Sequence, residues 1–173
     1  YGWKANFALL LILGLGTLAL VWADLGETAS LRRVSLAEQI RTYPALLASR
    51  LFWGYTLAAA FASGCFFAYL GGAPYVGDKI YGLSSTHVGA LFALTAIGYA
   101  AGNFLAGRYS VRLGMNRMIL IGCIVTTVGM ALLALLTLLG LSGPTTFFGL
   151  TIFMGLGNGI CLPNANAGLL SVR

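Results

Sequence analysis

The chain has 173 residues and few of the side chains that keep a protein in water. Charged residues make up only 8% of it, and just four are acidic; a soluble domain carries about 25% charged residues. A globule of this size could not cover its surface with so few charges, which excludes soluble enzymes, nucleic-acid modules and disordered segments. Histidine occurs once and cysteine three times. Cys65, Cys123 and Cys161 fall one to each apolar run, at spacings that fit no metal site or disulfide framework, and are read as small packing residues. The alternation that a membrane barrel would show is absent too.

What is present is hydrocarbon. Apolar residues make up 59% of the chain, and its mean hydropathy is +0.90. A crossing helix needs about 20 mostly apolar residues to traverse a hydrocarbon layer about 30 Å thick. Five stretches qualify. The first runs from Ala5 to Ala23, before Asp24; the second and third lie between Arg50 and Asp78 and between Lys79 and Arg108. From Arg117 to Arg173 no charge intervenes, and Gly140-Leu-Ser-Gly-Pro144 divides that length into two more helices. The expected spans after the first cover about 50–72, 82–107, 117–139 and 145–171. The fold class is therefore all-α, a polytopic membrane helix bundle. Val21-Trp22-Ala23 is the one cleavage-like triplet, and the spans that follow argue against a signal peptide. A first residue other than methionine suggests a piece of a longer chain.

The net charge of +6 is distributed with a clear sidedness. Arg32, Arg33, Arg41, Arg50, Arg108, Arg112, Arg117 and Arg173 fall on one side of the predicted spans, and Lys4 and Lys79 on the other. The positive-inside rule makes the arginine side cytoplasmic. Trp3, Trp22 and Trp53 sit at span ends, where indoles prefer the headgroup layer. Leu25–Ser49 is the one sizeable polar segment. Ser35-Leu-Ala-Glu38 reads as a capping box, opening a short helix with Leu36, Ile40, Tyr43 and Leu47 on one face, which Pro44 is expected to end or bend. We read it as an interfacial helix.

Gly54/Ala58/Ala62, Gly98/Gly102/Ala106 and Gly155/Gly159 place small residues at four-residue spacing, so the spans should approach closely. No Asp, Glu, Lys or Arg falls inside a predicted span, whereas membrane proton relays use such residues. Any titrating group that couples transport to protons is thus expected outside this segment. His87, beside Ser84, Ser85 and Thr86, is read as an interfacial side chain at a helix start. Ser63 and His87 supply the residue types of an intramembrane protease, but Phe61 stands where the usual glycine would precede the nucleophile. No catalytic, metal or cofactor site is expected. A channel would need a ring of charges or carbonyls, and these spans offer no charged side chain.

The fifth span is the most polar, with Asn158, Asn164 and Asn166 around Pro163. Buried amides need partners across a helix contact or in a wet cavity. Asn164 and Asn166 lie about 200° apart on an ideal helix, while Asn158 and Asn166 lie about 80° apart and share a face. Pro163 and the nearby glycines suggest a kink or broken helix. In the aromatic second span, Tyr55, Phe66 and Tyr69 are the rings expected to face a substrate cavity. Tyr99 and Asn158 complete the expected substrate-binding set.

Several short motifs carry a family likeness. Tyr1-Gly-Trp-Lys4, Gly26-Glu27-Thr28, Tyr69-Leu-Gly-Gly-Ala-Pro74-Tyr75 through Ser84, and Leu162-Pro163-Asn164-Ala165 occur in the order and sidedness of a major facilitator superfamily carrier. They resemble its Bcr/CflA-type drug-resistance branch, with Gly26 in place of a proline. Gly107, Arg112 and Gly114 match the superfamily's Gly-x-x-x-Asp-Arg-x-Gly loop, a conformational element at which the halves rock. Val111 replaces its aspartate and Met115-Asn116 its usual basic pair, so Arg112 is read instead as capping a helix C-terminus.

The resemblance implies a partial major-facilitator fold with five transmembrane helices, about the sixth to tenth of twelve. Residues 1–24 would be the last span of the N-terminal half, 25–49 the central cytoplasmic linker, and 50–173 the first four spans of the C-terminal half. It further implies a secondary active transporter in the bacterial inner membrane. Such a protein would export drugs or other small amphipathic compounds against protons, using the remainder of the N-terminal half of the same chain and no nucleic acid. The alternatives are a carrier of another small solute and a non-transporting structural membrane subunit.

Overall fold

The computed structural model describes residues 4–24 and 36–172, and among these every regular element is helical. The helices are α1 (Lys4–Asp24), α2 (Leu36–Ala48), α3 (Arg50–Tyr75), α4 (Ser85–Leu113), α5 (Met115–Leu138) and α6 (Pro144–Ser171), with a π-helical turn at Val76–Ile80. Five are long and apolar enough to cross a membrane: α1, α3 with its π turn, α4, α5 and α6. The chain divides into two compact units, one ending at Ile40 and the other beginning at Arg41, so the boundary falls within α2.

In the first unit, α1 is apolar along its length, the pattern of a membrane span. The hydroxyl of Thr17, its polar side chain in mid-span, donates to the Leu13 carbonyl at 2.8 Å. The motifs at 1–3 and 26–28 and the Ser35 of the expected capping box lie outside the described residues.

The second unit is built around α6. This helix packs most extensively against α4 and α5, and less against α3. Half of its most apolar window is buried, a larger share than in any other span described. Glycine sets how closely it approaches its neighbours. A Cβ on Gly98 or Gly102 of α4 would collide with the carbonyl of Ile152 or Leu156, and one on Gly155 or Gly159 of α6 with the carbonyl of Thr95 or Tyr99. Gly122 of α5 and Gly157 of α6 meet in the same way: a Cβ on Gly122 would lie 2.6 Å from the Gly157 oxygen. Without a hydrophobic drive between helices in lipid, such backbone-to-backbone contact is the main source of packing energy.

The connections are short and each has a local cause. Ser49 caps α3, its hydroxyl accepting from the Phe52 amide at 3.3 Å, and Trp53 ties α3 back to α2 by donating from Nε1 to the Leu47 carbonyl at 2.8 Å. Pro74 removes one backbone donor near the end of α3, and the chain widens into the π turn before Gly82 (φ +63°) stops it. Gly114 (φ +84°) is the single residue between α4 and α5. After α5, Gly140 (φ +68°) donates to the Thr137 carbonyl and Leu141 to the Leu136 carbonyl. That pair of bonds is a Schellman termination, and Pro144 then opens α6 at its first turn.

Three expectations change. Pro44 lies inside α2 instead of ending it; Ala45-Leu-Leu-Ala48 are strong helix formers, and the carbonyl that loses its donor belongs to the exposed Ile40. Pro163 likewise lies within an uninterrupted α6. The expected loop at 107–117 is largely helix, because α4 continues to Leu113.

Glycine contact makes a direct prediction. Gly102→Ala should lower unfolding free energy by about 1–3 kcal/mol through overpacking. Gly149→Ala, where nothing lies within 4 Å of the new Cβ, should leave stability unchanged or slightly raised. Denaturant unfolding in detergent micelles, followed by circular dichroism, reads both.

Candidate functional site: an aromatic cavity walled by α3, α4 and α6

Helices α3, α4 and α6 line a half-open cavity of about 610 Å3, within the size range of small-molecule sites. Phe66, Phe67 and Tyr69 reach it from α3, Phe92 and Tyr99 from α4, and Asn158 from α6. Rings at 66 and 69, and at 92 and 99, recur at helical spacing, so each helix turns one aromatic stripe toward the space. The Tyr69 and Phe92 ring centroids are 4.9 Å apart with planes tilted by 38°. No lining residue is charged.

Three polar groups of the wall, on Asn158, Thr95 and Tyr69, are held in place from behind. Asn158 is 2% exposed and donates from Nδ2 to the Ala62 carbonyl at 2.9 Å, joining α6 to α3. Thr95 Oγ1 lies 3.3 Å from the Tyr69 hydroxyl and 2.7 Å from Thr151 Oγ1, and Thr151 donates to the Phe148 carbonyl at 2.7 Å. This buried chain of hydroxyls runs from α3 through α4 into α6. It fixes the Tyr69 phenol at the cavity edge and leaves no large conformational freedom to lose on binding.

Of the expected substrate-binding residues, Phe66, Tyr69, Tyr99 and Asn158 line this one space. Tyr55 does not. It lies toward the arginine end of the bundle, its hydroxyl donating to Asn116 Oδ1 at 2.6 Å and its ring filling the room left by Gly168. Tyr55 therefore joins α3, α5 and α6 structurally. Asn166 is exposed and so does not share the buried face of Asn158, and Asn164 bonds back to the Ile160 carbonyl of its own helix at 2.8 Å. Ser63 lines the cavity while His87 does not. His87 sits at the start of α4, with Nδ1 2.9 Å from the hydroxyl of the capping Ser84.

The conformational-loop residues occupy a helix end and a joint. Gly107 and Arg112 belong to α4, with Arg112 in its last turn, where a cation faces the free carbonyls favourably. Gly114 makes the turn with its positive φ. Thr95, Thr151, Phe92 and Asn116 escaped the sequence reading. The signal for Thr95 was its place three residues before Gly98, on the same stripe that meets α6.

Membrane-length helices packed through glycine around an uncharged cavity define a multi-pass integral membrane protein. Residues 1–172 match the family described as Major Facilitator Superfamily, and the chain belongs to that family. It is 30% identical over 155 residues to a Bacillus subtilis (strain 168) protein called "Uncharacterized MFS-type transporter YdgK", across 88% of this chain and 38% of that protein. The chain thus spans well under half the length of this curated relative. No solved structure matches it.

Separating the two roles gives a second prediction. Tyr55→Phe and Asn116→Ala should each cost about 1 kcal/mol of stability, and the double variant little more than either alone. A double-mutant cycle of unfolding in micelles checks this coupling.

Proposed function

We propose that this chain supplies part of a secondary active transporter whose substrates are small, amphipathic, largely aromatic compounds, exported against protons across the bacterial inner membrane. The observation that carries the reading is the cavity wall: five rings, one buried amide and no charge. Apolar surface and stacking would supply affinity for many flat compounds, and the few hydroxyl and amide groups would orient them. A wall without formal charge places no strong demand on a substrate's exact pattern of donors, which suits broad specificity.

In this reading the helices of this chain form one side of a binding space completed by the remainder of the transporter, and the two sides rock around the bound compound. Arg112 and Gly114 would lie at the cytoplasmic surface, where the α4–α5 joint moves with the half. Among the described residues no carboxylate or base lines the cavity, so the proton-carrying group would belong to the rest of the protein. The central linker, with α2 at the membrane interface, would connect the halves on the cytoplasmic side.

Alanine at Phe66, Tyr69, Tyr99 or Asn158 in the full-length transporter should reduce proton-gradient-driven export of fluorescent aromatic cations from membrane vesicles. Each loss should be about 5-fold or more, the worth of about 1 kcal/mol or more of aromatic or amide contact. Tyr55→Phe should leave transport near its original rate. Undiminished export in all four cavity variants would refute the assignment.

A further inference from the structure

The three cysteines, one to a helix in the sequence, converge in the fold. Cys65 of α3, Cys123 of α5 and Cys161 of α6 all line a second, smaller cavity of about 180 Å3. All three are free thiols, and the sulfurs of Cys123 and Cys161 stand 4.0 Å apart. Close helix packing brings them together: a Cβ on Gly122 would come within 3.1 Å of the Cys161 Cβ.

We propose that Cys123 and Cys161 form a two-coordinate site for a soft, thiophilic divalent cation. The distance lets one ion bridge the pair. A disulfide requires sulfurs about 2.05 Å apart, whereas a linear bridge with metal–sulfur bonds of about 2.3 Å spans about 4.6 Å. The observed 4.0 Å is the contact distance of two free thiols, and a small side-chain rotation opens it to that span.

Charge selects the class of ion. No ionisable side chain other than the thiols lines the space, so a charged complex there would be poorly solvated. A divalent soft ion forms two metal–sulfur bonds and breaks two S–H bonds: Hg2+ + 2 RSH gives RS–Hg–SR + 2 H+. The protons leave to water, no electron changes hands, and the product is neutral. A monovalent ion would leave a net negative charge. A zinc ion would want four ligands, and no group of three or more His, Cys, Asp or Glu among the described residues is placed to hold a metal.

Asn158 gives the site a connection to the larger cavity. It lines both spaces, and the Ala62 carbonyl that it holds belongs to a residue of the smaller wall. An ion on the thiol pair would therefore sit directly behind the partition of the aromatic cavity.

Mercuric chloride titrated into the full chain in detergent micelles tests the site without any transport assay. The first equivalent of mercury per chain should remove two of the three cysteine thiols from reaction with a thiol reagent, and the exposed Cys65 should react only with the second equivalent. Cys65→Ser should still lose both of its remaining thiols to the first equivalent. Cys123→Ser, at an exposed position that burdens folding little, should bind mercury about 100-fold more weakly once the second arm is gone. Equal affinity in Cys123→Ser, or loss of only one thiol to the first equivalent, would overturn the proposal.

Discussion

Lipid cannot hydrogen-bond, and that constraint organises this molecule more than any single contact. The backbone satisfies itself by forming helices, and isolated polar side chains follow the same logic. Thr17, Asn103, Thr137 and Asn164 each donate to the carbonyl four residues back, at 2.8–2.9 Å. Others cross to another helix: Asn158 to Ala62, Tyr55 to Asn116, and Thr95 to Thr151 and Tyr69. The Thr95–Thr151 bond lies where Gly98 and Gly155 bring α4 and α6 together. The span that carries three asparagines is accordingly the most buried one.

The same constraint explains the character of the cavity. Aromatic rings present hydrocarbon to the space, and the polar atoms of Tyr69, Thr95 and Asn158 are tied down before any ligand arrives. Glycine has two roles here. At 98, 102, 155 and 159 it permits contact that a methyl group would block. At 82, 114 and 140 it takes a positive φ to end a helix, which keeps the connections within this unit short.

The five spans were legible because their hydropathy and charge breaks are strong signals, and the Gly140–Pro144 punctuation marked the division between the last two. Their ends were less legible, since helices such as α4 continue past the apolar stretch that announces them. Four of the five expected cavity residues share one space because helical periodicity carries Phe66 and Tyr69 to one side of α3. Tyr55 carries the same chemical signature as Tyr69. Its place at the far end of the bundle depends on Asn116 and Gly168, which lie 61 and 113 residues away in sequence. Asn166 is exposed although Asn158 is buried: a helical wheel gives angles between side chains, but not which angle faces a neighbour.

The central claim is a threading, with lipid around the helices and the arginine-bearing connections in the cytosol. Its most direct measurement labels single cysteines in intact cells with a membrane-impermeant maleimide, in a full-length transporter whose native cysteines are replaced by serine. The proposed threading predicts that Lys79→Cys reacts in intact cells and that Arg112→Cys reacts only after the membrane is permeabilised. Reaction of Arg112→Cys in intact cells would contradict it.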